Sequence, residues 1–311
     1  MKELAITGSN IAISDDSITD KFAQFIEFLD VAPLTVRSYS SGLKMFGKYL
    51  YLEDIKNPTR DDILAYKKKM EALGRKPATI ALYLSALRRF FAWTETKGIY
   101  PNIATGIKAP KLSKGHKKDC FSAPQIKSVL SGIDRSDIEG LRNYAIMALM
   151  TTGGLRTVEV TRASIEDLRV VGGVPVLYIQ GKGRTEKTDF VKIPEQVETA
   201  IRAYLNARGE VEAQAPLFSS VSKRNKGARL TTRTISSIAK NAMIKAGFNS
   251  KRLTAHSLRH TAITLNLLAG NSLTDVQAFA RHNSINTTMI YNHAVNRMTS
   301  TCENTIAAAI F

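Results

Sequence analysis

Apolar residues recur every three or four positions through four segments of the first hundred residues, a spacing typical of helices packed on one face. The segments begin at Ser17, a predicted N-cap, and cover about 17–29, 35–52, 59–73 and 77–97. Four such helices with short connections predict a compact helical domain over residues 17–106. Residues 1–16 lack clear periodicity and predict an N-terminal arm.

The period changes in the second half of the chain. Predicted helices at 123–131 and 137–152 are followed by alternating apolar and polar residues, which predict strands at 168–171, 174–180 and 188–193. Helical spacing resumes at about 195–207, 231–246, 257–269, 273–281 and 284–292. The predicted fold class is mainly α with a small three-stranded antiparallel sheet, the sheet lying in an α+β domain over residues 120–299.

Two segments fall outside these domains. Residues 107–119, IKAPKLSKGHKKD, carry five lysines and little to bury, and predict a basic linker that crosses a DNA backbone. Residues 300–311, STCENTIAAAIF, end in small and apolar residues. An apolar tail of this kind either packs on its own domain or docks on a neighbouring molecule.

The net charge of the chain predicts that it binds a polyanion. The 311 residues hold 44 Lys and Arg against 27 Asp and Glu, a formal net charge of +17. A generally basic protein with no special partner is the alternative. The chain shows no apolar run that could span a membrane and no secretory signal, and Cys120 and Cys302 have no metal-ligand spacing. These features predict a cytoplasmic protein with no metal and no cofactor.

Basic residues cluster on the predicted outward positions of the four-helix domain, in the linker and in the glycine-flanked hairpin loop GKGRTEK. A solvated helix face could explain any one of them, but the one-sided excess favours phosphate contacts. The predicted DNA-binding residues are Arg37, Lys44, Lys48, Arg88, Arg89, Lys114, Lys117, Lys118 and Arg184.

Six residues have the chemistry needed to attack a phosphodiester. His256 and Arg259, in LTAHSLRHT, stand at i and i+3 and share a face of a helix. Arg156, in TTGGLRTVEV, supplies a second guanidinium, and the two can neutralise the charge of a pentacoordinate phosphorus. His282 and His256 can donate to the same oxygens and handle the proton of Tyr291, the predicted nucleophile. Lys182, at the hairpin tip, can protonate the leaving oxygen.

The order Arg156, Lys182, His256, Arg259, His282 and Tyr291 resembles that of the tyrosine recombinase family, which includes phage integrases and Xer-like enzymes. The motifs GLRTVEV, HSLRHT and INTTMIY carry the resemblance, which covers about residues 18–293. It implies a SAM-like, DNA-binding N-terminal domain and a catalytic C-terminal domain. It also implies a 3′-phosphotyrosine, a Holliday junction and a tetramer assembled on a DNA recombination site. Glu159 is expected to support the active-site histidine and arginine from behind, and the tail is expected to dock on a neighbouring protomer.

Two features depart from the family pattern. Ala280-Arg281 stands before the second histidine, where the family usually has Leu-Gly, which makes the geometry of this turn uncertain. Only about 17 residues precede the first helix, so no separate arm-binding domain is expected. A type IB topoisomerase-like nicking-closing enzyme and a non-catalytic DNA-binding protein of the same fold are the alternative functions.

Overall fold

The computed structural model of the protein describes residues 18–111, 119–181 and 185–311. The chain forms two compact units, residues 1–113 and 114–311. The predicted arm, most of the predicted linker and three residues of the hairpin loop lie outside the described residues. Among the helices that are described, none is long and apolar enough to cross a membrane.

The first unit is helical, as its periodicity predicts. A 3₁₀ turn at Ile18–Asp20 precedes α1 (Lys21–Phe28), α2 (Pro33–Leu52), α3 (Arg60–Ala72) and α4 (Pro77–Thr96). Proline begins α2 and α4, where the missing N–H leaves no helix bond unmade, and a Thr59–Asp62 capping box begins α3. Large aromatic side chains fill the core between the helices, among them Phe25, Phe46, Phe90 and Phe91.

This unit extends beyond the boundary predicted at residue 106. Ile107 is only 4% exposed and belongs to the helical core. The Arg88 guanidinium donates to its carbonyl at 2.9 Å, and Lys67 Nζ donates to the Lys108 carbonyl at 3.0 Å. Residues 107 and 108 are therefore held on the helices. The predicted linker is rich in lysine, but its first residue, Ile107, packs in the helical core.

The second unit begins with α5 (Ala123–Ser131), α6 (Ile138–Gly153) and α7 (Thr157–Arg162). Three antiparallel strands follow in the order β1 (Leu168–Val171), β2 (Val174–Ile179) and β3 (Asp189–Lys192). Leu177 of β2 is fully buried and pairs with Leu168 of β1 on one side and with Val191 of β3 on the other. These pairs define the register of the three strands. The predicted sheet is confirmed, with β2 ending one residue earlier than predicted and β3 one residue shorter at each end.

Helices make up the rest of this unit. They are α8 (Glu195–Arg208), α9 (Thr232–Lys245), α10 (Ala255–Leu268), α11 (Leu273–Ala280), α12 (Ile285–Thr299) and α13 (Cys302–Ile310). A small apolar cluster joins α10, α11 and α12 and includes Ile263, Val276 and Tyr291. Helix α12 continues seven residues beyond the predicted end at residue 292, and neither α7 nor α13 was predicted. The fold class is confirmed: mainly helical, with one small antiparallel sheet.

Candidate active site

The chain enters the site through a turn that requires glycine. Helix α6 ends at Gly154, whose φ of 58° lies in the left-handed region. A Cβ on Gly154 would also lie 3.0 Å from the ring of Phe279. Arg156 then forms the N-cap of α7. Arg156 therefore belongs to a second helix rather than to the end of the helix predicted at 137–152, because the glycine turn separates the two.

Glu159, one turn into α7, is completely buried. Its Oε1 accepts from the Arg156 guanidinium at 2.8 Å, and its Oε2 accepts from the Arg156 backbone N–H at 2.8 Å. The carboxylate thus caps the helix and orients the arginine that precedes it. Glu159 is in contact with Arg156, as expected of a supporting residue, and its second side-chain partner is Arg281 rather than a histidine.

Arg259 lies on α10 and is 1% exposed. Its guanidinium donates to the Gly154 carbonyl at 2.6 Å and to the Ala280 carbonyl. Burial, together with repulsion from Arg156 and Arg281, lowers the pKa of Arg259 to about 9, so the group stays charged at neutral pH. A guanidinium has five N–H donors, so two carbonyl bonds leave donors for a phosphate.

His282 follows α11 and is held from both sides. Its Nδ1 is 2.9 Å from the hydroxyl of buried Thr288, and its carbonyl accepts from Gln277 Nε2 at 3.1 Å. Burial lowers the pKa of His282 to about 4, helped by the positive charges of Arg259, Arg156 and Arg281. The ring is therefore neutral at pH 7. Thr288 belongs to the INTTMIY motif, and its role in holding the histidine was not predicted.

Tyr291 is 4% exposed on α12. Its ring stacks on that of His282, with centroids 6.1 Å apart, and lies 5.1 Å from the ring of His260. Burial raises the pKa of Tyr291 to about 12, although Arg259 and Arg156 act in the opposite direction. The phenol is protonated at neutral pH, and its use as a nucleophile requires removal of that proton.

His256 is exposed on α10, and its ring meets the ring of His260 edge-on at 4.6 Å. His260 was not among the predicted site residues, although it lies on the same face of α10 as His256, because residues four apart share a face of a helix. Buried His260 stands between His256 and Tyr291.

An open cavity of about 260 Å³ lies beside these residues. Its wall includes Arg156, Glu159, Gly181, Asp189, Arg281 and His282. Tyr291 is outside the wall but is stacked on His282, which belongs to it. Lys182 and Arg184 lie outside the described residues, although Gly181, immediately before Lys182, lines the cavity. In the described ranges, no three His, Cys, Asp or Glu side chains group as metal ligands would.

The predicted DNA-binding residues of the first unit occupy two helices. Arg37, Lys44 and Lys48 are exposed along one stripe of α2, since they are spaced by seven and four residues. On α4, Arg89 is exposed, whereas Arg88 is half-buried and is the donor to the Ile107 carbonyl. The predicted contacts at Lys114, Lys117 and Lys118 lie outside the described residues.

Two family models match the chain. The one described as "Phage integrase family" matches residues 121–297, and "Phage integrase, N-terminal SAM-like domain" matches residues 22–98. Tyrosine recombinase XerD of Listeria monocytogenes is 28% identical over 286 residues, covering 89% of this chain and 94% of the relative. Tyrosine recombinase XerC of Haemophilus influenzae is 31% identical over 270 residues, covering 85% and 87% respectively.

Solved structures share the fold. The XerH recombinase bound to its difH substrate, in a post-cleavage complex, superposes with a TM-score of 0.71 at 20% identity, over 94% of this chain and 84% of that one. A lambda integrase dimer bound to a COC′ core site gives 0.67 at 18% identity, over 86% and 94%. The chain belongs to the phage integrase family, as a site-specific tyrosine recombinase acting on DNA.

Proposed function

We propose that the chain cleaves and rejoins DNA through a covalent 3′-phosphotyrosine formed on Tyr291. The phenolic oxygen bonds to the scissile phosphorus, the bond to the 5′ oxygen breaks, and that oxygen leaves as a hydroxyl. Attack by the 5′ hydroxyl of a second duplex reverses the step and releases the tyrosine. Exchange of one strand pair gives a Holliday junction, and exchange of the second completes recombination. Recombination of this kind integrates or excises mobile DNA, or resolves DNA dimers.

The two arginines supply the positive charge for this reaction. Arg156 lines the cavity and is fixed by Glu159, while Arg259 is fixed by two backbone carbonyls. Donors fixed in advance stabilise the charge that develops on the phosphate oxygens, at roughly 3 kcal/mol for each donor. No metal ion or ATP is needed in this proposal. The guanidinium groups supply the positive charge that a metal ion would otherwise supply, and the phosphotyrosine bond conserves the energy of the broken phosphodiester bond.

The proton of Tyr291 has nearby acceptors. His282 stacks on the phenol and is neutral, and a neutral imidazole can accept a proton or donate one to a phosphate oxygen. His260 joins Tyr291 to His256, whose exposed ring can contact DNA. These contacts support roles for His282 and His256 in proton transfer and phosphate binding.

Lys182 is the proposed acid that protonates the leaving 5′ oxygen. Its neighbour Gly181 lines the cavity that holds Arg156 and His282. Lys187, another lysine of the same loop, is 2.6 Å from the buried carboxylate of Asp167. That ion pair commits Lys187 to a structural role and favours Lys182 as the acid.

DNA binding is assigned to the exposed basic stripe of α2, to Arg89 of α4, and to the lysines at 114, 117 and 118 with Arg184. Arg88 contributes through its charge while its guanidinium holds Ile107. We propose a tetramer on paired sites, with α13 docked on a neighbouring protomer. No residue of α13 is buried on its own chain, and Ile306 and Ile310 are more than half exposed. Association with the nucleoid would follow from the DNA substrate.

The observation that carries the proposal is the stacking of Tyr291 on His282, which lines the cavity together with Arg156. The test is a suicide DNA substrate that traps the covalent adduct, incubated without ATP and with EDTA. Wild-type protein should form an adduct, and Tyr291→Phe should form none while binding DNA with similar affinity. Tyr178→Phe, a matched change on β2, should retain the adduct. An adduct on the Tyr291→Phe variant would show that another residue attacks.

A further inference from the structure

Arg281 holds a backbone conformation that arginine seldom adopts. It caps α11 with φ 52° and ψ 48°, in the left-handed region. Asp54 and Arg281 are the described non-glycine residues with positive φ. The turn is closed by backbone bonds from Arg281 N to Ala278 O at 2.9 Å and from His282 N to Gln277 O at 3.1 Å. A long side chain persists in such a conformation only where its surroundings compensate for the strain.

The contacts of the Arg281 guanidinium compensate for this strain, and the Arg281 side chain is only 10% exposed. It donates to the Phe279 carbonyl at 2.7 Å, to the Gly154 carbonyl at 3.2 Å and to Glu159 Oε2 at 3.2 Å. Arg281 therefore connects the turn before His282 with the glycine turn and the carboxylate that precede and follow Arg156. Glycine at this position would make the same backbone turn but none of these contacts.

Two of the acceptors of Arg281 are shared with a proposed phosphate-binding arginine. Glu159 also accepts from Arg156, and the Gly154 carbonyl also accepts from Arg259 at 2.6 Å. Three guanidiniums thus converge on one buried carboxylate and one carbonyl. Without the Arg281 side chain, Glu159 would keep its bonds from Arg156 but lose the bond from Arg281. The turn before His282 would then no longer be connected to that carboxylate.

We propose that Arg281 is a positioning residue for DNA cleavage, fixing Arg156 and His282 relative to each other through the carboxylate of Glu159. The inference rests on the proposed function of Arg156, His282 and Tyr291. A direct phosphate contact by Arg281 is the competing hypothesis, since Arg281 lines the cavity and its Nε has no hydrogen-bond partner in the described structure. The two differ in one respect: positioning acts through Glu159, whereas direct contact does not.

The test compares Arg281→Gly, Glu159→Gln and the double variant, using full-length protein. Glycine accepts the left-handed turn, so Arg281→Gly is expected to fold, which circular dichroism and thermal unfolding verify. Single-turnover cleavage of a suicide substrate at saturating protein gives the rate, and a gel-shift titration gives the affinity. Arg202→Ala, an exposed arginine paired with Glu198 on α8, is the charge-matched control and should cleave at the wild-type rate.

Arg281→Gly should slow cleavage by about tenfold to 10²-fold, as expected when a reacting group is misplaced by up to an ångström, while affinity stays within about threefold. The double variant should be no slower than Glu159→Gln alone, because residues that act as one unit have non-additive effects. Arg281→Lys should remain close to Arg281→Gly, since one ammonium cannot reproduce the planar fork.

Several outcomes would overturn the inference. Multiplicative losses in the double variant, or a parallel loss of affinity, would assign Arg281 to direct phosphate contact. Full activity in Arg281→Gly would leave it without a role in cleavage, and full recovery in Arg281→Lys would show that charge alone matters. In each of these cases the wild-type adduct would still form and the proposed function would stand. Absence of an adduct in the wild type would instead refute the proposed function itself.

Discussion

The ring of His282 stacks on the ring of Tyr291, with 6.1 Å between centroids and 22° between planes. Both groups are neutral at pH 7 in the DNA-free protein, because burial lowers the pKa of the histidine and raises that of the tyrosine. The pair is therefore packed as two uncharged rings. A phosphate brought to this place would add its negative charge to that of Glu159, which pairs with Arg156 and Arg281.

The neutral state of His282 predicts how stability depends on pH. Its pKa falls from an ordinary 6.5 to about 4 in the folded chain, so the unfolded chain takes up the proton first. The contribution of the neutral ring is fully present above pH 6.5 and is lost as pH falls toward 4, by on the order of 3 kcal/mol. Wild-type protein should therefore lose stability relative to His282→Gln over this window.

Thermal unfolding from pH 7 to pH 4 measures the effect, and NMR of labelled histidine rings reads the pKa directly. His293→Gln, an exposed change on α12, is the control and should follow the wild type. Titration of His282 near 6.5 would contradict the prediction, as would identical pH dependence in wild type and His282→Gln.

Arg156→Ala should reduce cleavage far more than affinity, because its contact strengthens as charge develops in the transition state. The loss in single-turnover rate should be about 10²-fold to 10³-fold, with DNA affinity changed only a few-fold. Arg156 gives a cleaner test than Arg259, whose removal would also take a buried donor from the carbonyls of Gly154 and Ala280. Arg169→Ala, on exposed β1, is the control. Equal losses in rate and affinity would mean that Arg156 only positions DNA.

Lys182→Ala should cleave ordinary DNA about 10²-fold to 10⁴-fold more slowly than wild type. The rate should recover on a substrate with sulfur at the 5′ bridging position, because a thiolate leaves without a proton. Lys187→Ala should show no such difference between the two substrates, since Lys187 pairs with Asp167. Failure of the sulfur substrate to rescue Lys182→Ala would transfer the acid role to another group, with His282 the first candidate.

Neutralising the α2 stripe should change how DNA binding responds to salt. Each lost phosphate contact lowers the slope of log K against log salt by about 0.9, so Arg37→Gln, Lys44→Gln and Lys48→Gln together should lower it by nearly 3. Gel-shift titrations between about 50 and 200 mM salt measure the slope. Glutamine at Lys192, Arg202 and Lys245 removes the same charge from the second unit. An equal decrease in that control would assign the effect to net charge rather than to the stripe.

Helix α13 should matter for assembly but not for binding to a single site. Truncation after Thr299, or Ile306→Glu with Ile310→Glu, should leave single-site affinity largely unchanged and weaken cooperative binding and recombination. Asn304→Ala, an exposed change on the same helix, should have no effect. Gel shifts on one and two sites, beside a recombination assay, measure both properties. Two-protomer and synaptic complexes at wild-type protein concentrations would rule out docking in trans.

Periodicity predicted most of the helices and the sheet because each of these segments buries one face over two or more turns or strand pairs. Helix α7 was not predicted, because its six residues are too few to show a helical period and its beginning depends on the glycine turn and on Glu159. Helix α13 escaped for a different reason: its alanine-rich segment buries nothing on its own chain.

The residues of the site could be named from their order, but not the contacts that hold them. Arg281 meets Glu159 across 122 residues, and no local pattern reports a pair so far apart. His260 was predictable in principle, since it stands four residues after His256 in a predicted helix.

The long-range contacts of the arginines are also among the last parts of the fold that a newly made chain can form. Arg259 reaches back 105 residues to Gly154, and Arg281 reaches back 122 to Glu159. During translation, α2, α4 and Arg156 leave the ribosome well before their partners on α10 and α11 exist. A chain interrupted before Arg281 has its first helical unit whole and keeps the pair of Arg156 and Glu159, but it lacks the contact from Arg281 to Glu159 and it lacks Tyr291. On the mechanism proposed above, such a chain cannot form the covalent link to DNA.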